Sequence, residues 1–122
     1  MITSSSLTRV LVVSHQVPGL PGHAERPHPH LWTVRGEFEG DPIAAEGMAV
    51  VKYEEAEKFR RLLGEYQGGF LNDLMGPGIP TLEGFGLHLM ERCSGALPSL
   101  RRIALYDAHH DPSEQRTFVI DR

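Results

Sequence analysis

Cysteine is nearly absent from this chain of 122 residues, which has Cys93 alone, and a single thiol cannot form an internal disulfide. A lone cysteine is typical of proteins in a reducing compartment, so we expect a cytoplasmic location. Long hydrophobic runs are missing as well, and we expect neither a membrane-spanning segment nor a signal peptide. The sequence therefore does not indicate a secreted disulfide scaffold or a membrane protein.

Positive charge is also scarce, because 16 acidic residues outnumber 12 basic ones and give a net charge of -4. No run of lysine and arginine is present, so we expect no nucleic-acid partner, since binding to a phosphate backbone requires clustered positive charge. The length suits a single domain over residues 1–122 with one modest hydrophobic core.

Alternating apolar residues predict two strands in the first third of the chain. After a polar stretch over residues 1–6, the valine-rich segment 7–15 is typical of a strand that ends at His15. A loop rich in proline and glycine follows over residues 16–27, and loops of this length in compact domains are often functional. Residues 28–38 form the second predicted strand. Its core-facing positions are His28, His30, Trp32, Val34 and Phe38.

Helical periodicity predicts two amphipathic helices in the middle of the chain. A short extended segment over residues 47–52 leads into the first helix, residues 53–66, and Thr81 is a suitable N-cap for the second. Cys93 lies on the apolar stripe of the second helix, so we expect a packed thiol rather than a nucleophile. Strands over residues 100–107 and 117–120 follow, the first of them with Ile103, Leu105 and Asp107 on one face.

This order of elements, two strands, two helices and two strands, predicts an α+β fold. We expect a four-stranded antiparallel sheet with both helices on one face. A sheet this small has two exposed edges, which proteins usually cover or pair, so we also expect an oligomer.

His28 and His30 are two residues apart on a predicted strand and therefore project from the same face. His15, at the end of the preceding strand, could supply a third imidazole. Three histidines with one open position are the ligand set of a catalytic zinc site. The alternative is a set of surface histidines at a polar strand entry, because the spacing H-x-H is not specific when taken alone.

Further motifs follow the histidines along the chain. They are Gly47-Met48-Ala49-Val50-Val51, Phe70-Leu71-Asn72-Asp73 and Pro80-Thr81-Leu82-Glu83. Together with His15 and His28-Pro29-His30-Leu31-Trp32, they resemble the 6-pyruvoyl-tetrahydropterin synthase family, which includes the 6-carboxy-tetrahydropterin synthases, over essentially the whole chain. The resemblance implies the T-fold, in which three subunits close a barrel and two trimers stack into a hexamer. It also implies a pterin-like ligand and a zinc ion bound by His15, His28 and His30.

Three positions depart from the family pattern. The family has a proton-transferring cysteine four residues before its His-x-His pair, where this chain has Ala24, and an Asp-His pair where it has Gln67 and Gly68. General acid–base catalysis requires groups that exchange protons near the working pH, and none of these three residues does so. The resemblance therefore implies that the family reaction on dihydroneopterin triphosphate is absent or severely reduced. Pro29 also replaces a glycine between two zinc ligands.

The resemblance implies that the ligand-binding positions are better kept. Asp107 stands where the family has a glutamate that accepts hydrogen bonds from the pterin ring. Glu83, with Thr81 and Leu82, stands in a second ligand-contacting segment. A carboxylate suits a pair of N–H donors. The alternatives are structural, since Asp107 could merely end a strand and Glu83 could merely favour the start of its helix.

Three functions are compatible with the sequence. The first is binding of a pterin-like ligand without the synthase reaction. The second is an enzyme of altered chemistry, a lyase or an aldolase-like one, in which a loop histidine (His23, His109 or His110) transfers the proton. The third is a non-catalytic oligomeric scaffold with a vestigial pocket. An open cleft beside Asp107 favours the first two, whereas a filled pocket, or Asp107 paired with a basic side chain, favours the scaffold.

Overall fold

A computed structural model describes residues 3–17, 19, 26–40, 45–108 and 115–122, with the backbone alone at residues 3, 45–52 and 108. The strands are β1 (Thr3–His15), β2 (His28–Gly40), β3 (Leu100–Ala108) and β4 (Gln115–Asp121). The helices are α1 (Ala45–Gly64), α2 (Leu71–Leu74) and α3 (Leu82–Cys93), and α2 is a single turn between the two predicted helices. None of the described helices is both long and apolar enough to cross a membrane.

The strands form one antiparallel sheet in the order β1-β2-β3-β4, and helices cover one of its faces. α1 packs on β1 and β2, and α3 packs on β3 and β4. The alternation predicted for β2 is confirmed, since Trp32, Val34 and Phe38 are each at most 1% exposed and belong to the core. The predicted α+β architecture with a four-stranded antiparallel sheet is therefore confirmed.

Two glycines let the helices approach the sheet closely. A Cβ atom added at Gly36 of β2 would lie 2.6 Å from the ring of Phe59 on α1. A Cβ atom added at Gly86 of α3 would lie 2.7 Å from the side chain of Leu105 on β3. Larger residues at these positions would push helix and sheet apart, and overpacking of this kind typically costs about 1–3 kcal/mol.

Two elements, α1 and β1, begin well before their predicted N-terminal boundaries. α1 begins at Ala45, so the extended segment predicted over residues 47–52 is wrong. The helix penalties of Gly47, Val50 and Val51 are each about 1 kcal/mol or less, and a long helix that packs on the sheet overcomes them. β1 begins at Thr3 rather than at residue 7, because residues 3–6 pair with residues 37–40 of β2.

Candidate metal and ligand site

Three histidines, here called the histidine cluster, meet where β1 ends and β2 begins. His15 lies opposite His28 in the β1–β2 ladder, and His30 follows on the same face of β2. The ring centroids are 4.5 Å apart for His15 and His28, 4.7 Å for His15 and His30, and 4.9 Å for His28 and His30. Each histidine offers one ring nitrogen as a ligand atom, and these three nitrogens all lie within 4.8 Å of one another. The structure thus brings together the imidazoles that the sequence selects as zinc ligands.

Backbone carbonyls orient two of these rings. The Nδ1 atom of His15 hydrogen-bonds the carbonyl oxygen of Pro80, and that of His28 hydrogen-bonds the carbonyl oxygen of Arg26 at 2.7 Å. A carbonyl oxygen only accepts, so each Nδ1 atom carries a proton, and in the neutral imidazole the Nε2 atom is then the one that presents a lone pair. These two Nε2 atoms lie 2.9 Å apart. Two facing lone pairs repel each other unless a proton or a cation lies between them. In a metal site, the cation occupies that position.

The donor set fits zinc. In a tetrahedral site with Zn–N bonds of about 2.0–2.1 Å, the ligating nitrogens are roughly 3.3 Å apart, which is close to the 2.9 Å between His15 and His28. Burial lowers the pKa of His15, against the opposing effect of the Pro80 carbonyl. Burial likewise lowers the pKa of His30, against the opposing effect of Asp107. Both rings are therefore neutral at physiological pH, which is the form that binds metal ions.

The histidine cluster forms part of the wall of a cavity of about 260 Å³, here called the site cavity. Trp32 is 1% exposed and stacks on the ring of His30, with centroids 5.5 Å apart and planes at 28°. Among the described residues, nothing hydrogen-bonds the buried Nε1 atom of this tryptophan. All four residues that the resemblance assigns to the ligand contribute to the wall. The complete lining is His15, Val17, His28, His30, Trp32, Thr81, Leu82, Glu83, Asp107 and Arg116.

The two carboxylates of the site cavity differ in their partners. The side chain of Asp107 is 14% exposed, and its Oδ1 atom lies 3.6 Å from Nδ1 of His30. The Oε1 atom of Glu83 accepts a hydrogen bond of 2.7 Å from Nη2 of Arg116. Arg116 is opposite Asp107 in the β3–β4 ladder, yet its guanidinium pairs with Glu83. Among the described residues, the basic side chain beside Asp107 is His30, a neutral imidazole of the histidine cluster, and no arginine or lysine pairs with Asp107. The open cavity is therefore the observation that favours a ligand site over a scaffold.

The segment of residues 79–84, here called the α3 turn, connects the histidine cluster to a helix. The hydroxyl of Thr81 accepts a hydrogen bond from the backbone N–H of Gly84 at 3.1 Å, so the predicted N-cap is confirmed. Pro80, whose carbonyl orients His15, comes directly before this cap. A Cβ atom added at Gly84 would lie 1.8 Å from the carbonyl oxygen of Ile79. The close approach therefore fixes the path of the backbone that carries the Pro80 carbonyl.

Gly84→Ala should destabilise the protein by about 1–3 kcal/mol, even though alanine is the better helix former by about 1 kcal/mol. The new methyl group would press against a backbone carbonyl, which cannot rotate away as a flexible side chain could. Gly95→Ala is the matched control, because a Cβ atom there meets no atom within 4 Å. Urea denaturation gives the free energy of unfolding of each protein, and equal values for the two variants would contradict the prediction.

Gln67 and Gly68, where the resemblance implies an Asp-His pair in the family, lie along the edge of β1. The side-chain oxygen of Gln67 accepts a hydrogen bond from the N–H of Val12 at 2.8 Å, and the N–H of Gly68 donates to the carbonyl of Val12 at 2.7 Å. Gly68 has φ of +73°, in the left-handed region that favours glycine. The side chain of Asn72 forms two hydrogen bonds with the backbone of Gln16, at 2.9 and 2.8 Å. Residues 67–72 thus cover the C-terminal part of this edge.

The remaining candidates divide into those that the structure describes and those that it does not. Ala24 and the loop histidines His23, His109 and His110 lie outside the described residues. Cys93 is fully buried, and burial raises the pKa of its thiol to about 11. A thiol in this environment is protonated at neutral pH and unreactive, so Cys93 is the packed residue that its position on α3 predicts.

A second cavity, of about 680 Å³, adjoins the α3 turn and has mainly apolar walls. At its polar end, Arg92 donates a hydrogen bond to the hydroxyl of Tyr66 at 2.7 Å, and that hydroxyl donates to Nε2 of His88 at 2.8 Å. Burial lowers the pKa of His88, which keeps this ring neutral and able to accept. These residues connect the end of α1 to α3. Of the described residues, only His15, His28 and His30 form a group that could hold a metal ion.

Comparison with known proteins adds a family and a fold. Residues 6–116 match the family model of 6-pyruvoyl tetrahydropterin synthase. A sequence search of curated proteins gives no match.

The solved 6-pyruvoyl tetrahydropterin synthase of Caenorhabditis elegans is 13% identical, with a TM-score of 0.73 over 100% of this chain and 96% of that one. That of Plasmodium vivax is 13% identical, with a TM-score of 0.56 over 100% of this chain and 99% of that one. A Vibrio cholerae protein assigned as a dihydroneopterin aldolase is 13% identical, with a TM-score of 0.55 over 98% of each chain. At such identities the structural matches establish a common fold and nothing finer.

Proposed function

Because the chain belongs to the 6-pyruvoyl tetrahydropterin synthase family and has its T-fold, we propose that it binds a pterin-like heterocycle in the site cavity and does not carry out the synthase reaction. The observation that carries the proposal is the Asp107 carboxylate, 14% exposed at the wall of that cavity. A largely buried carboxylate is a good acceptor for the two parallel N–H donors of an amino-pyrimidine edge. Thr81, Leu82 and Glu83 supply a further part of the wall.

We further propose that His15, His28 and His30 bind a zinc ion at this site. When bound, the ion would act as a Lewis acid toward an oxygen atom of the ligand. The three imidazoles leave a fourth coordination position for that oxygen. Trp32 packs against the rings of His15 and His30 and so limits the access of water to this side of the histidine cluster.

The loss of the synthase reaction is supported by what Gln67 and Gly68 do. Both residues hydrogen-bond the backbone of Val12, and neither has a side chain that exchanges a proton near neutral pH. At position 68, φ is +73°, and a residue other than glycine in this conformation costs about 1–2 kcal/mol. The backbone at the position of the missing pair is therefore arranged for the edge of β1 and disfavours a histidine.

The purified protein, supplied with zinc and dihydroneopterin triphosphate, should show no turnover when the pterin products are separated by chromatography. Calorimetry under the same conditions should detect binding of a simple pterin. The double variant Gln67→Asp, Gly68→His should also be inactive, because it restores two side chains and not the backbone that would direct them. A family enzyme of known activity is the control. Turnover by the wild-type protein at the rate of that enzyme would refute the loss of reaction, and absence of pterin binding would refute the ligand.

We propose that the chain assembles into trimers that pair into a hexamer. β1 and β4 are the edge strands, and residues 67–72 cover only the C-terminal part of the β1 edge. The sheet face away from the helices carries exposed apolar side chains, which are Val10, Val12, Leu31 and Val119. Open edges and exposed apolar side chains on this face both favour association with further copies of the chain.

Sedimentation equilibrium at micromolar concentration should show trimers or hexamers of the wild-type protein. Val10→Asp should reduce the size of the assembly, because it places a charge on the face that we assign to the subunit contact. Leu87→Asp is the matched control, since Leu87 on α3 is exposed to a similar extent, 57% against 52% for Val10, and lies on the opposite side of the domain. A wild-type protein that sediments only as a monomer would refute the proposal.

A further inference from the structure

We infer that Asp107 is a positioning residue for the proposed zinc site: its carboxylate accepts a hydrogen bond from the Nδ1–H of His30 and so directs the Nε2 atom of that ring toward His15 and His28. The inference rests on the zinc binding proposed above. It gives Asp107 a role in the metal site in addition to its role toward the ligand.

An oxygen atom faces the Nδ1 atom of every ring in the histidine cluster. For two rings it is a backbone carbonyl, and for His30 it is the Oδ1 atom of Asp107, at 3.6 Å. An oxygen in this position selects the tautomer with its proton on Nδ1, which leaves the Nε2 atoms free to converge on one point. The separation from Asp107 exceeds that of a direct hydrogen bond by about 0.5 Å, so the inference requires small rotations of the two side chains that close this gap.

The place of Asp107 in the sheet brings its carboxylate to His30. Asp107 is opposite Trp32 in the β2–β3 ladder, and His30 is two residues from Trp32 on the same face, so Asp107 and His30 are diagonal neighbours. The stacking of Trp32 on His30 limits the tilt of the ring, and the carboxylate determines which edge of the ring faces the histidine cluster. A glutamate would carry its carboxylate about 1.5 Å further from the sheet.

The other carboxylate of the site cavity is already engaged. Glu83 is bound to Arg116, and its side chain is 44% exposed, against 14% for Asp107. In a partly buried setting, a charged acceptor strengthens the hydrogen bond to a ligating imidazole and raises the basicity of that imidazole. Loss of such a partner typically lowers metal affinity about 10–100-fold.

Competition with a chromophoric chelator measures the zinc affinity on which the inference depends. Asp107→Asn keeps the size and shape of the side chain and removes its charge, so the affinity should fall by about tenfold or more. Asp121→Asn is the matched control, because it makes the same change in a carboxylate of β4 that pairs with Arg102 outside the site cavity. This control should bind zinc as tightly as the wild type. An affinity of Asp107→Asn within about twofold of the wild type would overturn the inference.

Nitrogen NMR of the imidazoles in the zinc-loaded wild-type protein gives a test that does not depend on the folding of a variant. His30 should carry a hydrogen-bonded proton on Nδ1 and bind zinc through Nε2. A zinc ion on Nδ1 of His30 would overturn the inference, because Asp107 could not then accept a proton from that atom.

These outcomes are distinct from failure of the proposed function. If zinc affinity depends on Asp107 while calorimetry detects no pterin binding, the inference stands and the ligand proposal fails. If the pterin binds and Asp107→Asn leaves zinc affinity unchanged, the ligand proposal stands and the inference fails.

Discussion

Replacing His30 with alanine should lower the affinity of the protein for zinc by roughly a hundredfold or more. Zinc sites with four protein ligands have binding free energies of about 10–16 kcal/mol, so one ligand contributes on the order of 3 kcal/mol. A loss of this size corresponds to roughly a hundredfold in affinity. His30 is close to both other ligands, with ring centroids 4.7 Å from His15 and 4.9 Å from His28. After the substitution only two imidazoles remain, and no described residue lies in position to replace the third.

The control for this prediction is His88→Ala. His88 is also a partly buried histidine, but it hydrogen-bonds Tyr66 at the second cavity, outside the histidine cluster. This variant should retain wild-type zinc affinity in the chelator competition. Melting temperatures of the zinc-free proteins show whether either substitution unfolds the chain. Full retention of zinc by a folded His30→Ala protein would exclude the histidine cluster as the zinc site.

Replacing Asp107 with asparagine or alanine should weaken the binding of a simple pterin by about tenfold or more. A charge-assisted hydrogen bond typically contributes about 1.5–3 kcal/mol, and about 1.4 kcal/mol corresponds to a factor of ten. Alanine removes both contacts with the amino-pyrimidine edge and leaves two ligand donors unpaired. Asparagine presents either an N–H₂ group or a neutral oxygen to these donors, so that one contact becomes repulsive or is lost.

Calorimetry at saturating zinc is the measurement for this second prediction. Saturation offsets the expected effect of Asp107 on the metal site, so the titration reports the ligand contact alone. Asp121→Asn again supplies the control, and it should bind the pterin as the wild type does. Equal pterin affinity for the wild type and both Asp107 variants would mean that Asp107 does not contact the ligand.

The sheet and the histidine cluster could be predicted because both depend on local periodicity. Alternation along β2 places His30, Trp32 and Val34 on one face, and this pattern is visible in the sequence without knowledge of the partner strands. His15 ends one predicted strand and His28 begins the next, so antiparallel pairing brings them opposite each other. The N-cap at Thr81 is also a local signal, since it depends only on residues of the same turn.

The partners of these residues could not be predicted in the same way. The carbonyl of Pro80 reaches His15 across a sequence separation of 65 residues, and every residue has a carbonyl, so composition carries no signal for this contact. Arg116 is not identified from the sequence as a residue of the site cavity, although the alternation of β4 places it on the helix-facing side. Its pairing with Glu83 rather than with Asp107, directly opposite it, depends on side-chain conformations in the folded protein.

The backbone role of Gln67 and Gly68 was also beyond the sequence. A glutamine in place of an acid indicates only that a proton-transfer group is missing, and does not reveal that its side-chain oxygen accepts from Val12. Gly68, which follows, has a positive φ, and its N–H donates to the carbonyl of Val12 at the edge of β1. Both features depend on how the segment after α1 returns to the sheet.

The contact between His15 and the carbonyl of Pro80 has a consequence for hydrogen exchange. It joins the end of β1 to the α3 turn, where the N–H of Thr81 bonds the carbonyl of Ile79 at 2.9 Å and the N–H of Phe85 bonds the carbonyl of Thr81 at 2.8 Å. These amides exchange with solvent only when the turn opens, and opening must break the contact with His15. A zinc ion that immobilises His15 should therefore slow exchange in the first turn of α3 without contacting that helix, so these amide protons report on binding at the end of β1.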